Sequence, residues 1–199
     1  MRCEVKIEGD TARSIHLWGD ILLDLVDFKN IKERGGSLGI NRGYEGYLTA
    51  TVSFPHATRE QRQEAGRWCQ RISYLGRYLL DAPHPKVFVD HIDGNSLDNR
   101  RSNIRLATPK QNAQNRKNYK DTESGFKGVL KYGGGWQVRI KIDAANVVIA
   151  KRIPDIKMAA MIYDLAAIEH FGEFANLNFP KEEVEAFRPH WDQIKSLFK

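Results

Sequence analysis

Residues 89–115, VDHIDGNSLDNRRSNIRLATPKQNAQN, leave the backbone few choices. KVFVDHI opens the segment and reads as a short strand. DGNSLDN then gathers Asp, Asn and Gly, which bend a chain by side-chain hydrogen bonds to the backbone or by tolerating positive φ. IRLA supplies a second short strand, and TPKQNAQNRK a helix with Thr108 as N-cap and Pro109 at the first helical position. The order is therefore strand, long loop, strand, helix. A turn accounts for Asp93, Gly94 and Asn95, but not for the Asp90-His91 pair before them or the cations after them. A calcium loop is excluded, because it needs acids at alternate positions with Gly sixth, whereas Gly94 follows Asp93 directly.

His91 stands apart from His16, His56, His170 and His190, which read as structural. An acid precedes it, a cationic segment follows it, and an oxygen ligand can return from the next helix. Cleaving a phosphodiester needs a base for water and a cation for the charge on the phosphoryl and leaving oxygens. A histidine of near-neutral pKa and a divalent metal meet those needs. Asp and Asn oxygens suit magnesium, whereas zinc prefers Cys or His.

Charge placement points the same way. Residues 100–152 carry 13 basic and 3 acidic side chains, net +10, while residues 1–99 are net −1 (13 basic, 14 acidic) and residues 153–199 net −3 (5 basic, 8 acidic). A solvated face mixes its signs, so a block this basic favours a polyanion, and nucleic acid above all. The block holds no amphipathic basic helix, and no apolar run is long enough to span a bilayer, so no membrane partner is expected. The first residues, MRCEVKIEGD, lack the apolar stretch of a secretory signal. With only Cys3 and Cys69, neither a disulfide framework nor a four-cysteine zinc site can form, as expected of a reducing compartment.

Upstream, IHLWGDILLDLVDFKNI fits neither the helical nor the strand period cleanly. RGGSLGI reads as a flexible turn and YEGYLTATVSF as a strand. TREQRQEAGRWCQRISYLGRYLLDA predicts a helix with Trp68, Ile72, Leu75 and Leu79 on one stripe, stopped by Pro83 and Pro85. Downstream, the polar NYKDTESG reads as a linker. GFKGVLKY, GWQVRIKID and NVVIAKR predict three strands; in the second, Trp136, Val138, Ile140 and Ile142 share one face, and Gln137, Arg139 and Lys141 the exposed one. PDIKMAAMIYDLAAIEHFG predicts a helix capped by Asp155 and Gly172, whose Ala159, Ala160, Tyr163, Ala166 and Ala167 stripe permits close approach to a sheet. The tail suggests a last helix interrupted near Pro189.

The segment VDHIDGN…LDNRRSNIRLATPKQNAQN resembles the HNH nuclease motif, in the Asn-rich branch found in phage and intron-associated homing endonucleases. The resemblance implies a ββα unit holding one divalent metal, Mg²⁺ or alternatively Mn²⁺. It makes Asp90 and Asn112 metal ligands, His91 the general base, Asn103 the brace that orients the histidine, and Asn115 a substrate contact. Where that family often has a His-Arg pair upstream, this chain has Gly76-Arg77. Separately, SGFKGV…GWQVRIKI…AAMIYDLAAIEHFGEFANLNFP resembles the ethylene-response-factor, or APETALA-two, DNA-binding domain, which lays a three-stranded sheet in the major groove. Leu130, Val147, Ile149 and Lys151 depart from the plant pattern where specificity is set, so the plant target sequence does not carry over.

The expected fold class is α+β, with a small ββα-metal HNH unit plus a three-stranded antiparallel sheet packed on one helix. The expected partition is an N-terminal support and DNA-contact region (1–82), the HNH unit (83–118), a linker (119–123), the sheet–helix domain (124–180) and a helical tail (181–199). The expected partner is double-stranded DNA. Arg100, Arg101, Arg105, Lys110, Arg116 and Lys117 are candidates to hold the backbone near the metal, and Lys127, Lys131, Arg139, Lys141 and Lys151 candidates for the sheet face. The reading is a site-directed DNA endonuclease of the homing type, encoded by a phage or mobile element and working in the host cytoplasm. Its alternative is a DNA-binding regulator with an inactive HNH unit. A structural RNA-binding protein is a third option, disfavoured because the charged sheet face lacks stacking aromatics.

Overall fold

The structure, a computed structural model, describes residues 4–43, 46–54, 72–82, 87–115, 123–143 and 145–198. Several expectations fall outside these residues: most of the helix predicted over 58–82, with Trp68; the stop signals Pro83 and Pro85; both cysteines; His56; Arg116 and Lys117; and linker residues 119–122. The chain divides into two compact units, Met1–Asn112 and Ala113–Lys199. Among the described residues no helix is long and apolar enough to cross a membrane.

In the first unit, β1 (Val5–Glu8), β2 (Thr11–His16) and β3 (Gly19–Asp24) form an antiparallel meander, followed by α1 (Leu25–Glu33). This explains why IHLWGDILLDLVDFKNI fits neither period. Ile21 and Leu23 alternate inward on β3, and Ile31 is then buried from α1, so two periods are joined end to end. A second antiparallel sheet contains β4 (Ser37–Arg42), β5 (Leu48–Ser53) and β6 (Ile72–Tyr74).

Two expectations need correcting here. The SLGI of RGGSLGI is strand, not flexible turn: it pairs along β5 from Ser37↔Ser53 to Arg42↔Leu48. Gly36 serves close packing, since a Cβ there would lie 2.6 Å from Ile31 Cγ2 and 2.7 Å from the Phe54 ring. The expected helical stripe also breaks at Ile72, which lies on edge strand β6 and is 60% exposed. Among the described residues of that stretch Leu75–Leu79 is helical (α2), and there Leu75 and Leu79 are buried as the stripe predicts.

β7 (Phe88–His91), β8 (Ile104–Ala107) and α3 (Pro109–Gln114) follow in the order expected from residues 89–115. Leu97 from the loop and Ile104 from β8 join Ile21, Leu23, Ile31, Val52 and Leu75 in one buried core. Each such side chain contributes about 1.5–3 kcal/mol by leaving water, so the loop is anchored in the same core as the N-terminal sheets.

In the second unit, β9 (Val129–Tyr132), β10 (Gly135–Ile142) and β11 (Ala145–Ile153) form an antiparallel sheet in the order β11-β10-β9. It packs on α4 (Ile156–Phe171), whose Ala159, Ala160, Tyr163, Ala166 and Ala167 stripe meets Val129, Val138, Ile140 and Ile153. Asp155 caps α4 by accepting from Met158 N at 2.7 Å, and Gly172 ends it at φ +56°. The α+β class is thus as expected. Gln137, however, is buried rather than exposed, and its side-chain oxygen accepts from Arg139 at 2.9 Å. The last helix, α5 (Lys181–Ile194), also runs through Pro189 without a break. Pro189 and Glu185, whose carbonyl loses its helical donor, are both exposed, so water can satisfy that oxygen.

Asp164 on α4 is fully buried and fastens the LNFP segment, accepting at 2.9 Å from Asn178 N, Asn178 Nδ2 and Phe179 N. Burial pushes its carboxyl up to about 6, against those bonds, which pull it down. Asn178 in turn accepts from Lys127 N at 2.7 Å, tying the start of the sheet to the end of the domain.

Candidate active site

β7 and β8 pair in the register Asp90↔Arg105 and His91↔Ile104. The loop between them is held by its own side chains. Asp93 Oδ1 accepts from Asn95 N at 2.7 Å, and Asn95 Oδ1 from Leu97 N at 3.1 Å, two Asx turns in succession. Asn103 closes the loop: its Oδ1 accepts from Asp93 N at 3.1 Å, and its Nδ2 donates to Asp93 Oδ1 at 2.8 Å and to Asp98 O at 2.9 Å. The N-terminal meander grips the loop from outside, through Leu22 N to Leu97 O at 3.0 Å and Asn99 N to Leu22 O at 2.7 Å.

The imidazole contact comes from Asn99, which the sequence reading passed over as a turn residue. Asn99 is 1% exposed; its Nδ2 donates to Ser96 O at 3.2 Å and its Oδ1 lies 3.3 Å from His91 Nε2. A carbonyl oxygen only accepts, so this contact forms a hydrogen bond when His91 carries a proton on Nε2. Asn103 therefore braces the loop, while Asn99 supplies the amide against the ring.

Gly76 on α2 makes this possible. A Cβ there would lie 2.9 Å from Val89 Cγ1 and 3.1 Å from Asn99 Oδ1. Gly76→Ala is therefore expected to displace Asn99 from His91, read as a shift of the His91 ring signals in an NMR spectrum of the full chain. Unchanged ring signals would show that the amide does not set the imidazole's position.

Asp90 is 4% exposed, and Arg105 across the ladder donates Nε to its Oδ2 at 2.9 Å, with Nη2 2.8 Å from the same oxygen as an ion pair. Asn112 lies half-buried on α3. That helix starts with a reciprocal cap: Gln111 N donates to Thr108 Oγ1 at 3.2 Å and Thr108 N to Gln111 Oε1 at 2.8 Å. The donors offered by Asp90 and Asn112 are hard oxygens. Among the described residues no group of three His, Cys, Asp or Glu could hold a metal. Oxygens of this kind suit a magnesium-like ion better than a closed zinc site.

Most candidate phosphate contacts also have structural partners. Arg100 chelates the buried Asp98; burial alone would raise that carboxyl, but the Arg100 hydrogen bonds and charge hold it below its ordinary range. Arg101 grips the buried Asp27 at 2.8 and 2.9 Å, and its N donates to Asp24 at 2.7 Å. Lys110 is exposed on α3, whereas Asn115, expected to contact substrate, is buried. In the second unit Arg139, Lys141 and Lys151 are exposed, Lys151 over the Tyr132 ring at 6.0 Å. Lys131 is exposed and pairs with Glu123 at 2.9 Å. Lys127 is half-buried, donates to Gln114 O at 2.7 Å, and is lowered to about 8 by burial, against the charge of Asp164.

Residues 82–114, which span β7, the braced loop, β8 and α3, match the HNH endonuclease family. The chain carries an HNH endonuclease domain. The chain is 45% identical over 92 residues to an uncharacterized HNH endonuclease, L560, of Acanthamoeba polyphaga mimivirus, covering 46% of this chain and 47% of that one. It is 48% identical over 50 residues to Protein 3.8 of Escherichia phage T7, covering 25% of this chain and 41% of that protein. The chain thus spans less than half the length of these curated relatives. No solved structure gives a significant match. The HNH domain takes in Asp90, His91, Asn99, Asn103, Arg105 and Asn112 together.

Proposed function

We propose that this chain is a metal-dependent DNA endonuclease of the homing type, encoded by a phage or mobile element. The observation that carries the reading is the Asp90-His91 pair on β7, with the Asn99 amide oxygen against the imidazole, inside a segment that matches the HNH family. His91 takes a proton from water, which attacks phosphorus in line with the 3′ oxygen. Asn99 donates no proton in this step; it keeps the ring oriented. Asp90 and Asn112 would hold a divalent ion, Mg²⁺ or alternatively Mn²⁺, which when bound supplies charge stabilisation for the phosphoryl and leaving oxygens. Arg105 neutralises Asp90 within the buried ladder.

The second unit is proposed as an APETALA-two-like DNA reader. The antiparallel order β11-β10-β9 on α4 and the exposed Arg139, Lys141 and Lys151 support this. A tethered reader raises the local concentration of one DNA site at a nuclease that by itself reads mainly phosphate geometry. Residues 1–82 are proposed as the support of the HNH loop, through the Leu22 and Arg101 bonds.

The test is incubation of supercoiled phage or host DNA with Mg²⁺ and with EDTA. Relaxed or linear product with metal alone is expected, and its form reports one-strand or two-strand cutting. Binding to every DNA offered without any cleavage would instead favour a regulator with an inactive HNH unit.

A further inference from the structure

The β4–β5–β6 sheet and β7 wall a cleft of about 660 Å³ that His91 and Asn99 also line. A space of that size suits a small organic molecule and is far too small for a double helix. Ala50 and Val52 of β5 point into the core, so Thr49 and Thr51 point to the opposite face, as does Tyr74, which pairs with Thr51. Tyr47, Tyr74 and Phe88 line this cleft while 62%, 53% and 41% exposed. Aromatic rings gathered at one exposed cleft mark a binding surface.

The polarity of the lining selects the ligand. Among the described residues no carboxylate lines the cleft, and its basic groups are Arg77 and His91. Arg77 donates to Val87 O at 2.8 Å and Ala82 O at 3.2 Å, which points it at backbone. A track for phosphates needs several cations, and this cleft offers flat rings with neutral hydroxyl and amide groups such as Thr49 and Asn41 instead. Those groups suit the faces and edges of a nucleobase.

We propose that this cleft takes one or two unpaired bases of the DNA strand, stacked on Tyr47 and Tyr74, so that the preferred substrate is DNA locally opened beside the scissile phosphate. The position of these bases beside the cut rests on the nuclease reading above; their binding does not. A base extruded here costs least where the duplex is mismatched or already single-stranded, which makes local opening a determinant of specificity.

The test uses the full chain in EDTA, with two labelled duplexes of one sequence, fully paired or with a two-nucleotide bubble carrying 2-aminopurine. Wild type is expected to bind the bubble roughly five- to hundredfold more tightly and to quench the 2-aminopurine, as stacking on one or two rings implies. Tyr47→Ala with Tyr74→Ala is expected to abolish both the preference and the quenching, while Tyr47→Phe with Tyr74→Phe retains them. Equal wild-type affinity for the two duplexes overturns the proposal, as does a preference that survives the double alanine variant. Because these readouts need no cleavage, a protein that quenches but never cuts would sink the nuclease reading alone. One that cuts with Mg²⁺ yet shows no bubble preference would sink only the base-binding cleft.

Discussion

Replacing His91 by alanine is expected to lower Mg²⁺-dependent DNA cleavage by about 10²–10⁴-fold, the usual contribution of a positioned general base. The framework around it should survive. β7 keeps its register with β8, the Asp90–Arg105 pair is untouched, and Asn99 keeps its bond to Ser96 O. DNA affinity measured in EDTA should therefore stay close to wild type, so that the loss falls on kcat. Asn99→Ala should give a smaller defect in the same parameter, because the ring remains but its orientation is no longer set. Single-turnover cleavage separates these effects from product release. Wild-type rates in the His91 variant would remove the imidazole from the mechanism, whatever the fate of the metal site.

Gly128→Ala is expected to unfold the second unit at much lower temperature. Gly128 sits at φ +73°, and a Cβ there would lie 1.9 Å from Tyr163 Cδ2 and 2.8 Å from Arg139 O. The left-handed backbone costs an L-residue roughly 1–2 kcal/mol, and overpacking a core adds about 1–3 kcal/mol or more. Tyr163 cannot swing away, because it is buried among Val129, Ile140 and the α4 alanines. At about 4–8 °C per kcal/mol for a unit of this size, the melting transition should fall by more than about 10 °C. Calorimetry of the full chain reads this directly, with the first unit as internal reference. An unchanged transition would mean that sheet and helix do not approach as closely as the Gly128–Tyr163 contact requires.

The parts of the molecule that were legible from sequence are those fixed by short-range chemistry. Thr108, Pro109 and Gln111 start α3, Asp155 and Gly172 bound α4, and the Asp93–Asn95 turn bonds itself. Asp90, His91, Asn103 and Asn112 all fall in the short segment that matches the HNH family. Where reading failed, a distant partner decided the outcome. RGGSLGI looks loose because glycine usually is, yet Gly36 is small so that Ile31 and Phe54 can close over it. Ile72 continued a helical stripe, but pairing with Ser53 makes it strand.

The sequence by itself determined the ββα order, the inward Val138 and Ile140 of β10 and the alanine face of α4. Backbone propensity, side-chain caps and hydrophobic period act within a few residues, so they survive in the linear text. Only the tertiary structure decided that Asn99 and not Asn103 meets the imidazole, that Arg101 and Arg105 are engaged by Asp27 and Asp90, and that Tyr47 and Tyr74 share a cleft with His91. Each of these pairings joins side chains whose separation in space is set by how whole sheets pack, and packing is a property of the closed core.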